Sequence, residues 1–251
     1  ALVALQGPLH LRILRQRLKD GFGMEVHDIV PVPEYRETIT KAQDFSYRHK
    51  KQTGGAGQFG EVFLRVEPLP RGAGFEYVDQ VKGGVIPHQF IPAVEKGVRE
   101  AMARGFIAGF PLQDLRVTVY DGKHHSVDSK EVAFVAAGRK AFLDALAKAR
   151  AQVLEPVVTV TVVAPESAMG DVTGEISARR GHVTGSSVPK PGTVEVSALA
   201  PLAELDGFPA RLKSLTAGQG SYALEFSHYD PAPPPLQQKL AAAHRPVETE
   251  D

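Results

Sequence analysis

Two short stretches of this sequence combine residue types that could do chemistry. The first is Gln52 to Val62, QTGGAGQFGEV, with glycines at 54, 55, 57 and 60. A basic run, Arg48-His49-Lys50-Lys51, precedes it, and an alternating segment, Val62 to Glu67, follows. Clustered glycines let a backbone turn tightly or come close to another molecule, because no Cβ intervenes. The flanking cations suggest that such a molecule is anionic. The second stretch is Asp121-Gly122-Lys123-His124-His125-Ser126-Val127, which sets a lysine and two histidines ahead of a predicted helix. Free N–H groups and the dipole at a helix N-terminus favour anions. This loop therefore reads either as a phosphate or RNA contact or as an ordinary solvated loop.

Spacing weighs against several chemistries. Gly55 to Gly60 matches the G-x-G-x-x-G dinucleotide fingerprint, but an alternating strand follows where a helix is needed. With Val62 the same residues match the glycine-rich loop of protein kinases, and Ala164-Pro165-Glu166 adds to that likeness. No H-R-D, D-F-G or V-A-I-K string accompanies it, so phosphoryl transfer would lack its base and metal ligand. What remains is a glycine-rich hairpin tip that touches nucleic acid through its backbone and nearby cations, or a plain surface hairpin. His124 and His125 point apart on extended chain and have no third ligand at metal spacing, which weighs against a metal site. No G-x-x-x-x-G-K-[ST] occurs, so the chain is not expected to hydrolyse a nucleotide by itself. Arg179-Arg180-Gly181 follows a predicted helix. It reads equally as a phosphate contact and as a helix end with Gly181 as its cap.

Composition sets the bounds. The 251 residues are 43% hydrophobic and 23% charged, enough apolar material for one large domain or a few small ones. There is no cysteine, which removes disulfides, thiolate catalysis and cysteine zinc sites and points to a reducing cytosol. The formal net charge is zero, so any nucleic-acid contact must be local. No apolar run approaches the ~20 residues of a membrane helix. The chain opens on Ala1 in a strand-like stretch and reads as part of a longer protein.

The elements that must position the two stretches follow from periodicity. Residues 2–6 are strand-like, a helix fits Leu9 to Asp20 with Leu11, Leu14 and Leu18 on one face, and Gly21 and Gly23 end it. Met24 to Val30 alternates as a strand, which makes this part read as half of a small α+β domain. Beyond Pro31 and Pro33, extended chain runs to Pro68 and contains the glycine-rich hairpin. Phe75 to Gln80 is predicted as a strand, Pro92 to Arg104 as a helix burying Val94, Val98, Ala101 and Met102, and Leu115 to Tyr120 as a strand. The next helix is expected to begin at Asp128, with Asp128 as N-cap and Glu131 completing a capping box, and to run to Ala149 with Phe134, Gly138, Ala141, Phe142 and Ala145 inside. Pro156 is expected to open a new segment. From Val157 to Phe226 the order reads βαββαβ, the ferredoxin-like pattern, and a short helix, Leu236 to His244, follows a proline cluster.

Several strings, in this order, identify a family. They are Leu9-His10-Leu11, Tyr35-Arg36-Glu37-Thr38-Ile39, Gln52-Thr53-Gly54-Gly55, Gly83-Gly84-Val85-Ile86-Pro87, Ile91 to Gly97, Tyr120-Asp121-Gly122, His125 with Val127-Asp128-Ser129, Leu154-Glu155-Pro156, Gly170-Asp171-Val172, Ala178-Arg179-Arg180-Gly181 and His228-Tyr229. Along nearly its whole length the chain resembles the C-terminal part of elongation factor G, the bacterial ribosomal translocase, or a divergent elongation factor G-like paralogue. The resemblance implies a multidomain α+β fold. Residues 1–39 would be the latter half of domain III, a partial ferredoxin-like half-domain. Residues 40–155 would be domain IV, a split βαβ, ribosomal-protein-like arm that mimics tRNA. Residues 156–230 would be domain V, a ferredoxin-like βαββαβ domain, and residues 231–251 a tail with a short helix.

The same resemblance implies a ribosome-binding function, with the domain IV tip inserted at the decoding centre to promote tRNA–mRNA translocation. The tip would consist of Thr53, Gly54, Gly55, Ala56, Gly57 and Gln58 in one loop and Lys123, His124, His125, Ser126 and Val127 in the other. Arg179 and Arg180 would be ribosome contacts of domain V. The implied partners are the rRNA of both subunits and the tRNA–mRNA pair, with no membrane, for a cytoplasmic monomer. The chain is expected to carry no catalytic residue, metal or cofactor of its own; GTP and Mg would belong to the GTP-binding domain of the parent protein. Three positions depart from the family. Gly7-Pro8-Leu9-His10-Leu11 stands for Gly-Glu-Leu-His-Leu, Ala56 stands where the tip usually has arginine, and Gln219 replaces a domain V arginine. Each lost cation weakens a phosphate contact by a modest, salt-dependent amount. A paralogue acting in ribosome recycling or rescue fits these departures.

Overall fold

The computed structural model describes residue 3 and residues 8–27, 33–52 and 57–244. The elements run α1 (Pro8–Phe22), β1 (Arg36–Ile39), β2 (Gln43–Lys51), β3 (Gln58–Pro68), β4 (Phe75–Asp79), α2 (Ile91–Arg104), β5 (Leu115–Lys123) and α3 (Glu131–Leu146). They continue as β6 (Ala151–Pro165), α4 (Met169–Ala178), β7 (His182–Lys190), β8 (Thr193–Pro201), α5 (Phe208–Leu215), β9 (Ser221–Pro231) and α6 (Pro234–Ala243). Contacts divide the chain into two units, residues 34–157 with 228–251 and residues 1–33 with 158–227. Of the strand expected at 24–30, residues 24–27 are irregular and the rest lies outside the described residues, as do residues 2 and 4–6 of the first expected strand.

The unit of residues 34–157 and 228–251 holds both candidate loops. Its sheet has the order β2-β3-β5-β4; β3 is antiparallel to both neighbours, and β4 runs parallel to β5. Parallel neighbours need a crossover, and α2 supplies it, giving a βαβ unit. Val62, Leu64 and Val66 of β3 are fully buried, and they pack in one core with α2 and α3. The alternate residues lie on an open face, where oppositely charged strand neighbours pair: Asp44 with Arg65 at 2.7 Å, Arg48 with Glu61 at 3.0 Å and Arg116 with Glu76 at 2.7 Å. The bidentate Arg65 guanidinium holds the Asp44 carboxyl below its ordinary value. A bulge between Phe63 and Leu64 leaves Tyr120 as the extra residue of β5, with its ring edge-on to Phe63 at 6.1 Å.

Helices α2 and α3 bury the residues that periodicity selects, Val94, Val98, Ala101 and Met102 on one and Phe134, Gly138, Ala141, Phe142 and Ala145 on the other. They touch backbone to backbone. A Cβ added at Gly97 would meet the carbonyl oxygen of Val135, and one at Gly138 would lie 2.7 Å from that of Val94. Neither helix backbone could yield without disturbing the core between them.

The connection from α2 to β5 is fastened by a carboxylate. Glu37 on β1 is fully buried, and its oxygens accept the backbone N–H groups of Phe106, Ile107, Ala108 and Phe110 at 2.6 to 3.2 Å. Its own backbone exchanges bonds with Pro111 and Gln113. A charge taken out of water is costly unless fully hydrogen-bonded, and here four aligned donors stand in for water. On its other side β1 pairs antiparallel with the start of β6, from Arg36 opposite Leu154 to Ile39 opposite Ala151. Pro156 does not open a new element as expected; strand β6, expected from Val157, runs through it from Ala151. The β1 pairing stops at Leu154, so the proline, which has no N–H, falls outside that ladder. Helix α6 docks here too, with Gln237 accepting from Val153 N–H at 3.0 Å and donating to Ala232 at 2.8 Å.

In the unit of residues 1–33 and 158–227, the second half of β6 lies between β9 and β8, with β7 outside β8. Helices α4 and α5 contribute Val172, Ile176, Phe208 and Leu212 to its core. This is the expected ferredoxin-like arrangement. Glu175 on α4 accepts from Arg179 at 2.7 Å and from Arg211 of α5 at 3.2 Å, and these hydrogen bonds, Arg179 first, hold its carboxyl below the ordinary glutamate value.

Replacing Glu37 by alanine orphans four N–H groups, so unfolding monitored by denaturant is expected to show a loss on the order of 4 kcal/mol; a loss below about 1 kcal/mol would refute the role given to this carboxylate. Gly97→Val should cost about 3 kcal/mol or more through overpacking, read as a lowered Tm. The depressed Glu175 contributes stability that is fully present above its ordinary value of 4.5 and is lost as pH falls through its lower folded value. Glu175→Gln should therefore flatten the acid limb of stability against pH, measured by denaturation between about pH 2 and 6.

Candidate nucleic-acid interface

Pairing brings the two candidate loops to one end of the sheet. Lys51 opposite Gln58 closes the β2–β3 hairpin, and Glu61 opposite Lys123 sets the end of β5 beside it. Thr53, Gly54, Gly55 and Ala56 lie outside the described residues. Gly57 and Gln58 lie at the base of the hairpin. The glycines there serve the protein's own packing. A Cβ on Gly57 would sit 3.0 Å from the Asp128 carboxylate, and one on Gly60 would sit 3.3 Å from the Phe134 ring.

The second loop departs from expectation in two ways. Strand β5 runs on through Asp121 and Gly122, so Lys123 ends a strand rather than lying in a free loop. Helix α3 starts at Glu131 behind Lys130, which has extended backbone at φ −136° and ψ 156°, and no side chain caps it. Asp128 is not the N-cap. Its Oδ1 accepts the N–H of Gly57 at 3.1 Å, and its backbone oxygen accepts that of Phe59 at 2.9 Å. The aspartate has a donor across the hairpin, and that donor competes with the helix.

Each side chain of the second loop has a definite place. His124 Nδ1 meets the carbonyl oxygen of Val85 at 3.0 Å, which ties the loop to the Gly83–Pro87 turn. His125 Nδ1 lies 3.3 Å from Val127 N and 3.2 Å from Asp128 N, and its ring stands edge-on to Phe59 with centroids 6.3 Å apart. Ser126 and Val127 are exposed, Val127 at 72%. Lys50, Lys51, Gln52, Gly57, Gln58, Phe59, His125 and Asp128 line a cleft of about 230 Å³. Lys50, Lys51 and Lys123 are exposed and have no ion-pair partner among the described residues. The nearby acids are engaged: Asp128 with Gly57 N–H, Asp121 with Gly122 N–H and Glu61 with Arg48. The result is a local cationic surface on a chain of zero net charge. Sequence reading placed Lys50 and Lys51 in a flanking run and left them out of the site. The nine-residue pairing of β2 with β3 is what carries them to the cleft. Among the described residues no cluster of three His, Asp or Glu side chains could hold a metal ion.

Arg179 and Arg180 belong to the other unit. The Arg179 guanidinium donates to the carbonyls of Glu204 and Asp206 at 2.6 Å each and to Glu175, and it sits 5.7 Å from the Phe208 ring centroid. Arg180 Nη1 reaches Glu204 at 3.2 Å. The helix end is a Schellman motif, with Gly181 N–H bonded to Ile176 and Arg180 N–H to Ser177. The left-handed residue is Arg180, at φ 59°, and not Gly181. Gly181 is needed for space, since a Cβ there would lie 2.7 Å from the Ile176 carbonyl oxygen.

Comparison with known proteins identifies the family. Residues 32–150 match the profile described as elongation factor G, domain IV, and residues 152–240 that described as elongation factor G C-terminus. An elongation factor G-like protein of Thermotoga maritima is 46% identical over 95% of this chain and 35% of its own length. Elongation factor G of Aquifex pyrophilus is 46% identical over 93% of this chain and 33% of its own length. The chain thus spans about a third of these relatives. A crystal structure of a Thermus thermophilus protein superposes with a TM-score of 0.85 at 41% identity, over 94% of this chain and 35% of that one. A chain that matches both profiles in sequence order, and these relatives over nearly its whole length, belongs to the elongation factor G family, of which it carries domain IV and the C-terminal domain.

Proposed function

We propose that this chain is the ribosome-facing part of an elongation factor G-like translational GTPase and that its cationic tip enters the decoding centre to support tRNA–mRNA translocation. One observation carries this reading: two loops far apart in sequence meet at one end of the sheet, where Lys50, Lys51 and Lys123 are exposed without an ion-pair partner among the described residues, and Asp128 is hydrogen-bonded across to Gly57. Such a surface suits the phosphate backbone of RNA, which supplies affinity through charge. The chain works by shape and contact, without covalent chemistry. GTP and Mg belong to the remaining two thirds of the parent protein, beyond the third spanned here. Thr53 to Gln58 and Lys123 to Val127 touch RNA of the small subunit and the tRNA–mRNA pair. Arg180, supported by Arg179, contributes to contact with the large subunit through the other unit. The protein acts as a monomer in the cytoplasm.

A second reading has its own support. Ala56 and Gln219 stand where the family usually carries arginine, Gln219 is exposed, and the Thermotoga maritima relative is named an elongation factor G-like protein. A paralogue acting in ribosome recycling or rescue fits those residues. Translocation and recycling assays with the parent protein separate the two tasks.

Ribosome binding comes first. Co-sedimentation of the chain with ribosomes across a salt series is expected to give an affinity that falls steeply with salt. The Lys50→Ala, Lys51→Ala, Lys123→Ala triple variant should lower the slope of log affinity against log salt by about 2 to 3 and weaken binding on the order of tenfold or more. Equal slopes for wild type and variant would remove this surface from the interface.

A further inference from the structure

Asp128 and Ser129 lie in the loop that carries His125, yet their bonds reach across to the hairpin. Asp128 takes Gly57 N–H on its carboxylate at 3.1 Å and Phe59 N–H on its backbone oxygen at 2.9 Å. Ser129 Oγ donates to the carbonyl oxygen of Phe59 at 2.9 Å and accepts His125 N–H at 2.9 Å. Ser129 N–H returns to the carbonyl oxygen of His125 at 3.1 Å. The side chains of these two residues are spent on joining the loops and bracing the histidine turn, and neither caps the following helix.

The imidazole is held by the same turn. Asp128 Oδ2 lies 3.3 Å from His125 Nδ1, which suggests an ion pair, while Val127 N–H and Asp128 N–H point at the same nitrogen. Both cannot be satisfied together. A neutral ring with its proton on Nε2 serves both backbone donors; a proton on Nδ1 serves one carboxylate oxygen and orphans them. The first arrangement leaves the Nε2–H of a half-exposed ring with no partner among the described residues. His125 then offers a neutral donor, suited to a ribose hydroxyl, a phosphate oxygen or a base acceptor.

We propose that Asp128 and Ser129 are positioning residues: they fasten the glycine-rich hairpin to the histidine loop, so that the lysines of one and the Nε2–H of the other reach RNA as a single preformed surface. This rests on the ribosome-binding function proposed above. A preformed surface spares the ordering that two independent loops would need on binding.

The test pairs two measurements on the whole chain: amide hydrogen exchange at Gly57 and Phe59, and affinity for ribosomes across a salt series. Asp128→Ala is expected to speed exchange at both amides and weaken binding about tenfold, with the salt slope unchanged because no cation is lost. Asp128→Asn keeps the acceptor for Gly57 and should bind within about twofold of wild type. Ser129→Ala should resemble Asp128→Ala, and Ser129→Thr should restore binding; these two keep the test open where Asp128→Ala fails to fold. Unchanged exchange in both alanine variants would overturn the clamp. Tighter binding by Asp128→Ala would overturn it too, since the carboxylate would then act only as a charge facing RNA. Wild-type chain that binds no ribosomes removes the proposed function alone, and the exchange measurement still judges the clamp.

Discussion

The arrangement of the tip-bearing unit depends on one buried carboxylate. Glu37 gathers four backbone N–H groups from the segment between α2 and β5. That segment must reverse direction within a few residues and deliver β5 between β3 and β4. Without the carboxylate these amides would lose their acceptors, at a cost of several kcal/mol out of the roughly 5 to 15 that hold a domain folded. With it, Leu115 enters opposite Pro68 and the register runs to Lys123 opposite Glu61. The histidine loop is thus placed from the far end of the same strand. A contact at the base sets the position of residues at the tip through the stiffness of paired strands.

Much of this fold was legible in the sequence, and for local reasons. The apolar stripes of α2 and α3 recur at helical spacing, and a helix that buries one face has little freedom to be anything else. The alternation Val62, Leu64, Val66 marked β3 in the same way. What could not be read were the choices decided by distant partners. Asp128 and Glu131 have capping-box spacing, but Gly57, 71 residues away, supplies a competing donor. Pro156 looked like a boundary, yet β6 passes through it because the β1 pairing has already ended at Leu154. Glycine at 181 looked like the cap of its helix, while the chain puts Arg180 in the left-handed conformation and keeps Gly181 for clearance.

The site followed the same division. The types of residue in the two loops, and their basic flank, were evident. That Lys50 and Lys51 line the cleft depends on the register of β2 against β3, which is a property of the two strands and their turn together and cannot be read from β2 alone. The inward engagement of Asp128 was equally hidden. Read in isolation, an acid between His125 and Lys130 argues against a polyanion partner. Its hydrogen bond to Gly57 makes it part of the scaffold, and its single negative charge is outnumbered by Lys50, Lys51 and Lys123.

The ion pairs on the open face of the sheet bear on how a charged partner would meet this unit. Asp44 with Arg65, Arg48 with Glu61 and Arg116 with Glu76 cancel one another strand by strand. That broad flank is electrically quiet at distances beyond a Debye length of about 8 Å in physiological salt. The end of the sheet that bears the two loops differs: Lys50, Lys51 and Lys123 have no ion-pair partner among the described residues. To an approaching polyanion that end of the sheet is the attractive pole. Long-range attraction then acts as a torque, turning the end forward before any surface is touched, and flank-on encounters gain nothing from lingering.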